Sequence, residues 1–271
     1  MIKINSNIIF CLPLAIALIF ASGCKKIIEL KTNEIPPRFV IEANLSDQLG
    51  DCYVYISQTV RLSDSSNFSG VSGAKVTISD SGHNTVALFE TFKGFYRAPS
   101  LRAITNHHYI LEVEINGQHF SGEASLHRKV PFDSLYISDY FIFGKNRKFA
   151  NVIFQDPPGK GDSYRFLQYK NNAQNANIFV MNDEFSDGRK INTFLAYFDQ
   201  NDEEDMMPGD SITVEMQCID PKVYTYFNSL AQSATGGNDA VTPGNPVSNI
   251  TGGALGYFNV YTKERKSVVV K

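Results

Sequence analysis

Tyr109-Ile110-Leu111-Glu112-Val113-Glu114-Ile115 runs into Asn116-Gly117 and returns as Gln118-His119-Phe120-Ser121-Gly122-Glu123-Ala124. Apolar and polar residues alternate on both arms, the period of two that a pleated strand imposes. Asn-Gly between two such arms is the strongest short-range hairpin signal, because both central positions of the tight turn need positive φ. The stretch decides for antiparallel β structure, and the chain on either side repeats its theme.

Toward the N-terminus, Ala74, Val76 and Ile78 alternate with polar neighbours before the turn Asp80-Ser81-Gly82. Val86 to Glu90 and Gly94-Phe95-Tyr96 follow. Cys52, Val54 and Ile56 share one strand face, which turns Tyr53 and Tyr55 to the other, outward face, where tyrosines suit protein interfaces or sugar stacking. Phe39 to Leu45 is the first strand, and Ser63 to Gly73 is a polar loop. Residues 38–129 thus form an N-terminal β-sandwich. The pattern Gly73-Ala74-x-Val76-x-Ile78, Gly94-Phe95-Tyr96, Tyr109-x-Leu111-x-Val113 resembles small transthyretin-like or carboxypeptidase-regulatory-like sandwiches.

Beyond a boundary near Lys129-Val130-Pro131, residues 130–271 form a second β-rich domain. Its strands include Lys148–Phe154, Ser163–Tyr169, Asn177–Met181, Asn192–Phe198 and Asp210–Cys218, with Leu255–Tyr261 and Ser267–Val270 at the end. Asp156-Pro157-Pro158-Gly159-Lys160-Gly161-Asp162 is a turn that neither helix nor strand interior accepts. One helix is expected over residues 221–234. Asp220 is a natural N-cap, Pro221 suits the first helical position, and Val223, Tyr226, Phe227, Leu230 and Ala234 keep helical spacing. The helix is expected to plug one end or edge of the second sandwich. The predicted class is all-β: two β-sandwich-like domains, the first transthyretin/Ig-like, with one short helix in the second.

The N-terminus reads as an export signal. Lys3 precedes the apolar run Ile8–Phe20, which is too short to span a bilayer comfortably, and small residues lead into Cys24. Ala21-Ser22-Gly23-Cys24 resembles the lipobox of bacterial lipoproteins. That resemblance implies a signal peptide at 1–23, cleavage before Cys24, diacylglycerol and palmitate-type acylation on Cys24, and a tether at 24–37.

With 271 residues, 43% hydrophobic and 20% charged, the chain has the composition of a globular protein. A net charge of −3 and pI near 6.0 give no general attraction to nucleic acid. Of four cysteines, Cys11 leaves with the signal and Cys24 takes lipid, while Cys52 and Cys218 read as buried small hydrophobes in different domains. No constellation for catalysis is visible. His83, His107, His108, His119 and His127 form no zinc-type pair with a glutamate, and there is no nucleophile elbow, phosphate loop or dinucleotide fingerprint. Asp199, Asp202, Glu203, Glu204 and Asp205 are calcium candidates by charge alone. They lack the EF-hand pattern, as do Asp183, Asp187 and Gly188, and a solvated loop is the default reading of both stretches. The expectation is a non-enzyme without a cofactor.

Taken together, the lipobox cysteine, the Phe39-Val40-Ile41-Glu42 strand, Gly73-Ala74-x-Val76, Phe154-x-Asp156-Pro157, Tyr164-Arg165-Phe166, Asp183-Glu184-x-x-Asp187-Gly188 and Asn249-Ile250-x-Gly252-Gly253-x-Leu255-Gly256-Tyr257-Phe258 resemble the DUF4249 lipoproteins of Bacteroidetes. The resemblance implies lipid attachment at the outer membrane, often beside TonB-dependent receptors, and no established activity. The expected role is therefore an accessory or binding subunit of a TonB-dependent transporter, with a stand-alone glycan- or peptide-binding lipoprotein as the alternative. Lys25-Lys26-Ile27-Ile28-Glu29 departs from the acidic run associated with surface export, so either face of the membrane stays open. The long loops 199–210 and 235–253 are the expected contact surface, with Asp202, Asp205, Asn238, Asn245 and Asn249 as candidate partner-binding residues.

Overall fold

The computed structural model describes residues 36–60, 69–142, 144–196, 205–234 and 244–271. The expected signal peptide, Cys24 and most of the tether lie outside the described residues. Residues 37–271 form one compact unit.

The chain begins with β1 (Phe39–Ser46) and β2 (Cys52–Gln58), then β3 (Lys75–Asp80), β4 (Thr85–Phe92) and β5 (Phe95–Arg97). β6 (His107–Ile115) and β7 (Gln118–Leu126) are the two arms of the Asn-Gly hairpin. Ile115 faces Gln118, and Asn116 and Gly117 take φ of 52° and 73°. β8 (Phe132–Ile142) and β9 (Lys145–Gln155) pair along their whole length. β10 (Ser163–Lys170), β11 (Ala173–Gln174), β12 (Phe179–Asn182), β13 (Lys190–Phe194) and β14 (Ser211–Ile219) precede the single described helix, α1 (Pro221–Ala234), and β15 (Leu255–Val269) closes the chain. The all-β, sandwich-like class with one short helix is as the alternation of the sequence predicts.

Two sheets result. Twelve strands form one, in the order β11-β10-β14-β15-β1-β2-β5-β4-β3-β6-β7, with β12 also on β10; the other is β13-β9-β8. β15 organises both halves. Leu255 to Tyr261 run parallel to Val40 to Ser46 of β1, and Thr262 to Val269 run antiparallel to β14. The sequence divides this stretch into two strands, because Lys263 to Lys266 carry four charges in a row. In the structure the charges are tolerated within one strand because three find partners. Lys263 pairs with Asp51, Arg265 with Glu215, and Glu264 with Lys129.

One face of β15 serves both cores. Phe258 and Val260 pack with Ile41, Leu45, Val54, Ile78, Leu111 and other residues of the first seven strands. Val268 and Val270 pack in a second cluster in which Val152 and Phe154 of β9 meet Phe166, Val214 and Met216. Cys52 belongs to the first cluster and Cys218 to the second; both are free thiols.

Asp220 caps α1. Its carbonyl accepts the Val223 and Tyr224 amides, its Oδ1 accepts the Lys222 amide at 2.8 Å, and its Oδ2 reaches the Ser125 amide of β7 at 2.9 Å. Of the expected positions, an end or an edge of the second sandwich, the helix takes neither end; it lies against β12 and β10, at the edge of the large sheet, and against β15. Its apolar stripe (Val223, Tyr226, Phe227, Leu230) meets a third cluster with Tyr257 and Tyr261 of β15, so it lies on the face of the large sheet that turns away from both cores. Tyrosines on that face give it the apolar surface it needs to dock there. Among the described residues no helix is long and apolar enough to cross a membrane.

Candidate functional site

Alternation along the central strands separates two faces with different chemistry. Ile41, Ala43 and Leu45 of β1 go to the core, leaving Glu42 and Asn44 opposite. Register carries that outer face across the sheet: Glu42 lies against Tyr257 and Tyr55, and Asn44 against Asn259 and Tyr53. Across β14 and β10, Arg265 lies against Glu215, Lys263 against Gln217, and Gln217 against Arg165. Alternation makes this face polar, and α1 walls one side of it.

What remains open is a groove of about 300 Å³ lined by residues from β1, β2, β10, β11, β14 and β15. Its tyrosines are Tyr53, Tyr169, Tyr257 and Tyr261, and its amides are Asn44, Gln174 and Gln217. Asp51 is ion-paired with Lys263, and Arg265 Nε lies 2.6 Å from Glu215 Oε2. Glu215 Oε1 also accepts Gln217 Nε2 at 2.6 Å. The Arg165 guanidinium sits 3.7 Å from the centre of the Phe227 ring, a cation–π contact that ties the groove floor to α1. Burial pushes the hydroxyls of Tyr53, Tyr257 and Tyr261 above the usual phenol range, so all three stay neutral and can both donate and accept.

The face is also rich in hydrogen-bonding atoms without partners. Gln217 is 2% exposed, yet its Oε1 accepts nothing. The Nε atoms of Arg165 and Arg97 donate to nothing, and Asn259 has a partner for neither its Nδ2 nor its Oδ1. Arg97 faces Tyr53 across β2 and β5, and Asn259 stands between Tyr257 and Tyr261 on the same side of β15. Buried polar atoms are normally satisfied, so such a concentration needs a reason. From the groove an aromatic ladder leads outward: Tyr53 stacks on Phe95 at 5.4 Å, and Phe95 on Phe92 at 4.5 Å, with Phe92 61% exposed.

A second cluster was not anticipated. Asp156, Asp162 and Asp183 bring carboxylate oxygens within 4.8 Å of one another, all buried. Most of these oxygens already have donors. Asp156 accepts the Tyr164 hydroxyl and, at 2.9 Å, the Gly188 amide. Asp162 is held by Arg128 Nε at 3.0 and 2.9 Å, and Asp183 Oδ2 accepts the Gly161 and Asp162 amides. Arg128 also donates to the Gly159 carbonyl at 2.8 Å, and Asp187 accepts the Gly159 amide at 2.7 Å. These bonds account for the trio as a lock between the loops at 156–162 and 183–188. They are the carboxylates a cation would find if it entered there. The signal was present in Asp156-Pro157-Pro158 and Asp183-x-x-x-Asp187-Gly188, but only tertiary structure joins the two loops.

Of the calcium candidates, Asp199, Asp202, Glu203 and Glu204 lie outside the described residues. Asp205 is described; its carboxylate pairs with Arg147 at 3.4 Å and its carbonyl accepts Lys170 Nζ. Among the candidate partner-binding residues, Asp202 and Asn238 lie outside the described residues and Asn245 is exposed. The Asn249 side chain works within the fold, donating to the Phe258 carbonyl and accepting the Phe258 amide, both at 2.9 Å. His107 and His108 are bound locally, His107 Nδ1 to the Thr105 carbonyl and His108 Nδ1 to the Ser125 hydroxyl. Tyr53 faces away from the core as predicted, but it is half-buried in the groove. Arg165, Glu215 and Gln217 stand among ordinary strand residues in the sequence, which gives no sign that they meet Tyr53.

No curated protein matches the chain. A family profile, described as Domain of unknown function (DUF4249), matches residues 25–267, nearly all of the chain beyond the expected signal. On that match the chain belongs to the DUF4249 family.

Proposed function

We propose that this chain is a non-catalytic binding lipoprotein of the bacterial outer membrane, anchored through acylated Cys24 and acting as an accessory subunit of a TonB-dependent transporter. The observation that supports a binding role is the recessed groove on the outer face of the large sheet, beside α1. Its lining keeps polar atoms without partners at buried positions, where a fold serving only stability gains more from paired or apolar groups. The lipobox-like Ala21-Ser22-Gly23-Cys24 supports the anchor, since two or more acyl chains hold a protein stably at a bilayer. The transporter role rests on the resemblance to lipoproteins encoded beside such receptors. No nucleic acid is involved in this reading.

Extraction of the native lipoprotein in mild detergent, followed by mass spectrometry of what co-purifies, tests it. The expected result is a stoichiometric β-barrel receptor, and Cys24→Ser should move the chain out of the membrane fraction. Recovery of the lipoprotein alone would replace the accessory role with the second reading, a stand-alone glycan- or peptide-binding lipoprotein. The groove favours that alternative independently, because it is complete within one chain.

A further inference from the structure

We infer that the groove takes a small polyhydroxylated ligand, a mono- or disaccharide, whose hydroxyl groups satisfy Arg165 Nε and Gln217 Oε1. The inference rests on reading the groove as a binding site and does not depend on a transporter partner. Arg165 and Gln217 are register neighbours on β10 and β14 and line the same groove, and the unpartnered donor of the one does not bond the unpartnered acceptor of the other. A hydroxyl can accept from the one and donate to the other. An ionised carboxylate can only accept, an ammonium can only donate, and an apolar group does neither. An apolar ligand would leave both atoms buried and unbonded.

The charges point the same way. Lys263 is neutralised by Asp51 and Arg265 by Glu215 before any ligand arrives. Arg165 lies over Phe227 and in the field of Glu42. A charged ligand therefore finds at most the Arg165 guanidinium as counter-ion, and an anion held there would leave Gln217 Oε1 unbonded, whereas the neutral tyrosine hydroxyls and the amides of Asn44 and Gln174 suit a neutral polar one. About 300 Å³ is at the small end of ligand sites, which limits the occupant to a sugar or two. Of the ladder Tyr53–Phe95–Phe92, Tyr53 lines the groove and Phe92 ends the stack exposed, which leaves apolar ring surface near the groove of the kind that packs against the C–H face of a sugar ring.

The test uses the full lipidated chain in a detergent without sugar headgroups. Glucose, galactose, N-acetylglucosamine, maltose and lactose are titrated at up to millimolar concentrations, with the dipeptide Ala-Ala as comparison, by saturation-transfer NMR and calorimetry. At least one saccharide should bind and Ala-Ala should not. Gln217→Leu should weaken binding about tenfold with the melting temperature retained. If that variant does not fold, Gln174→Ala, on the exposed strand β11, should still weaken binding severalfold. Absence of binding by all five sugars would overturn the inference and assign the orphaned atoms to water. Saccharide binding unchanged in the variants would overturn it by placing the sugar elsewhere. Binding of Ala-Ala in place of sugars would overturn the ligand class and leave the groove as a site. None of these results alters the co-purification expected of an accessory subunit.

Discussion

Glu42 shows how the polar face costs the fold something. It lies among Tyr55, Tyr257 and the field of Arg165, and burial raises its carboxyl above the ordinary value of 4.5, with Arg165 opposing the rise. The folded state therefore holds the proton more tightly than the unfolded one, and stability is lost as pH rises from the ordinary value through the raised one. Above that window the charge is a net burden; below it there is none. Glu42→Gln should raise the melting temperature at about pH 7 and leave it unchanged near pH 4. Thermal melts at the two pH values check this, and an equal shift at both would contradict it. At this scale much was legible. Alternation alone placed Cys52, Val54 and Ile56 inward and Tyr53 outward, and all three inward residues are fully buried. Burial raises the thiol of Cys52 to about 12 and pushes that of Cys218 up from its ordinary value, as befits small hydrophobes. Alternation cannot say what covers an outward residue. Tyr53 stacks on Phe95 and shares its groove with residues of β10, β14 and β15, which lie far along the chain, so the groove could not be read locally.

Among the elements, α1 was the most legible because its start is written in contiguous residues. Asp220 does more than cap, since its second oxygen holds β7 through the Ser125 amide. Asp220→Ala should cost about 2 kcal/mol in urea unfolding, the upper end for a lost cap, and Asp220→Asn less, because it keeps an acceptor oxygen for the Lys222 amide. The lock at Arg128 was not legible, since its partners lie in two separate loops. Arg128→Ala would strip Asp162 of its cation and free the carbonyl of Gly159. A loss of about 2 kcal/mol is expected, less than for a fully buried pair because the guanidinium is partly solvated. Arg128→Lys should recover only part of it, since an ammonium cannot make the forked contact. Denaturant midpoints of the three proteins would decide. β15 was misread for the opposite reason. Its charges look like a loop in sequence, and only the cross-strand partners on β14 and beyond make them strand residues. The short β11, Ala173–Gln174 between asparagines, carries too little pattern to announce itself.

For the whole molecule, the pairing of β1 with β15 matters most. Gly256 sits in it with φ of +105°, where a Cβ would run into the Ile41 carbonyl, so the two strands approach as closely as backbones can. Removing residues 255–271 would open the first core at Phe258 and Val260 and the second at Val268 and Val270. The shortened chain is expected to show no cooperative unfolding transition by circular dichroism and to be cleaved rapidly by trypsin. Two half-proteins folding independently would instead leave a protected N-terminal fragment. The contact that decides this joins Val40 to Leu255, nearly the full length of the folded chain.

That separation governs when the protein can fold during its manufacture. Contacts between distant positions close slowly, because the intervening chain must lose its freedom before the contact forms. Here one edge of β1 is covered early by β2, but its other edge has no partner until β15, the last described strand, has been made. Until then β1 presents an unpaired edge beside an incomplete core, the condition that invites aggregation and proteolysis. A product truncated before β15 would keep that edge and a gap in both cores, so completion of β15 decides whether either core can close.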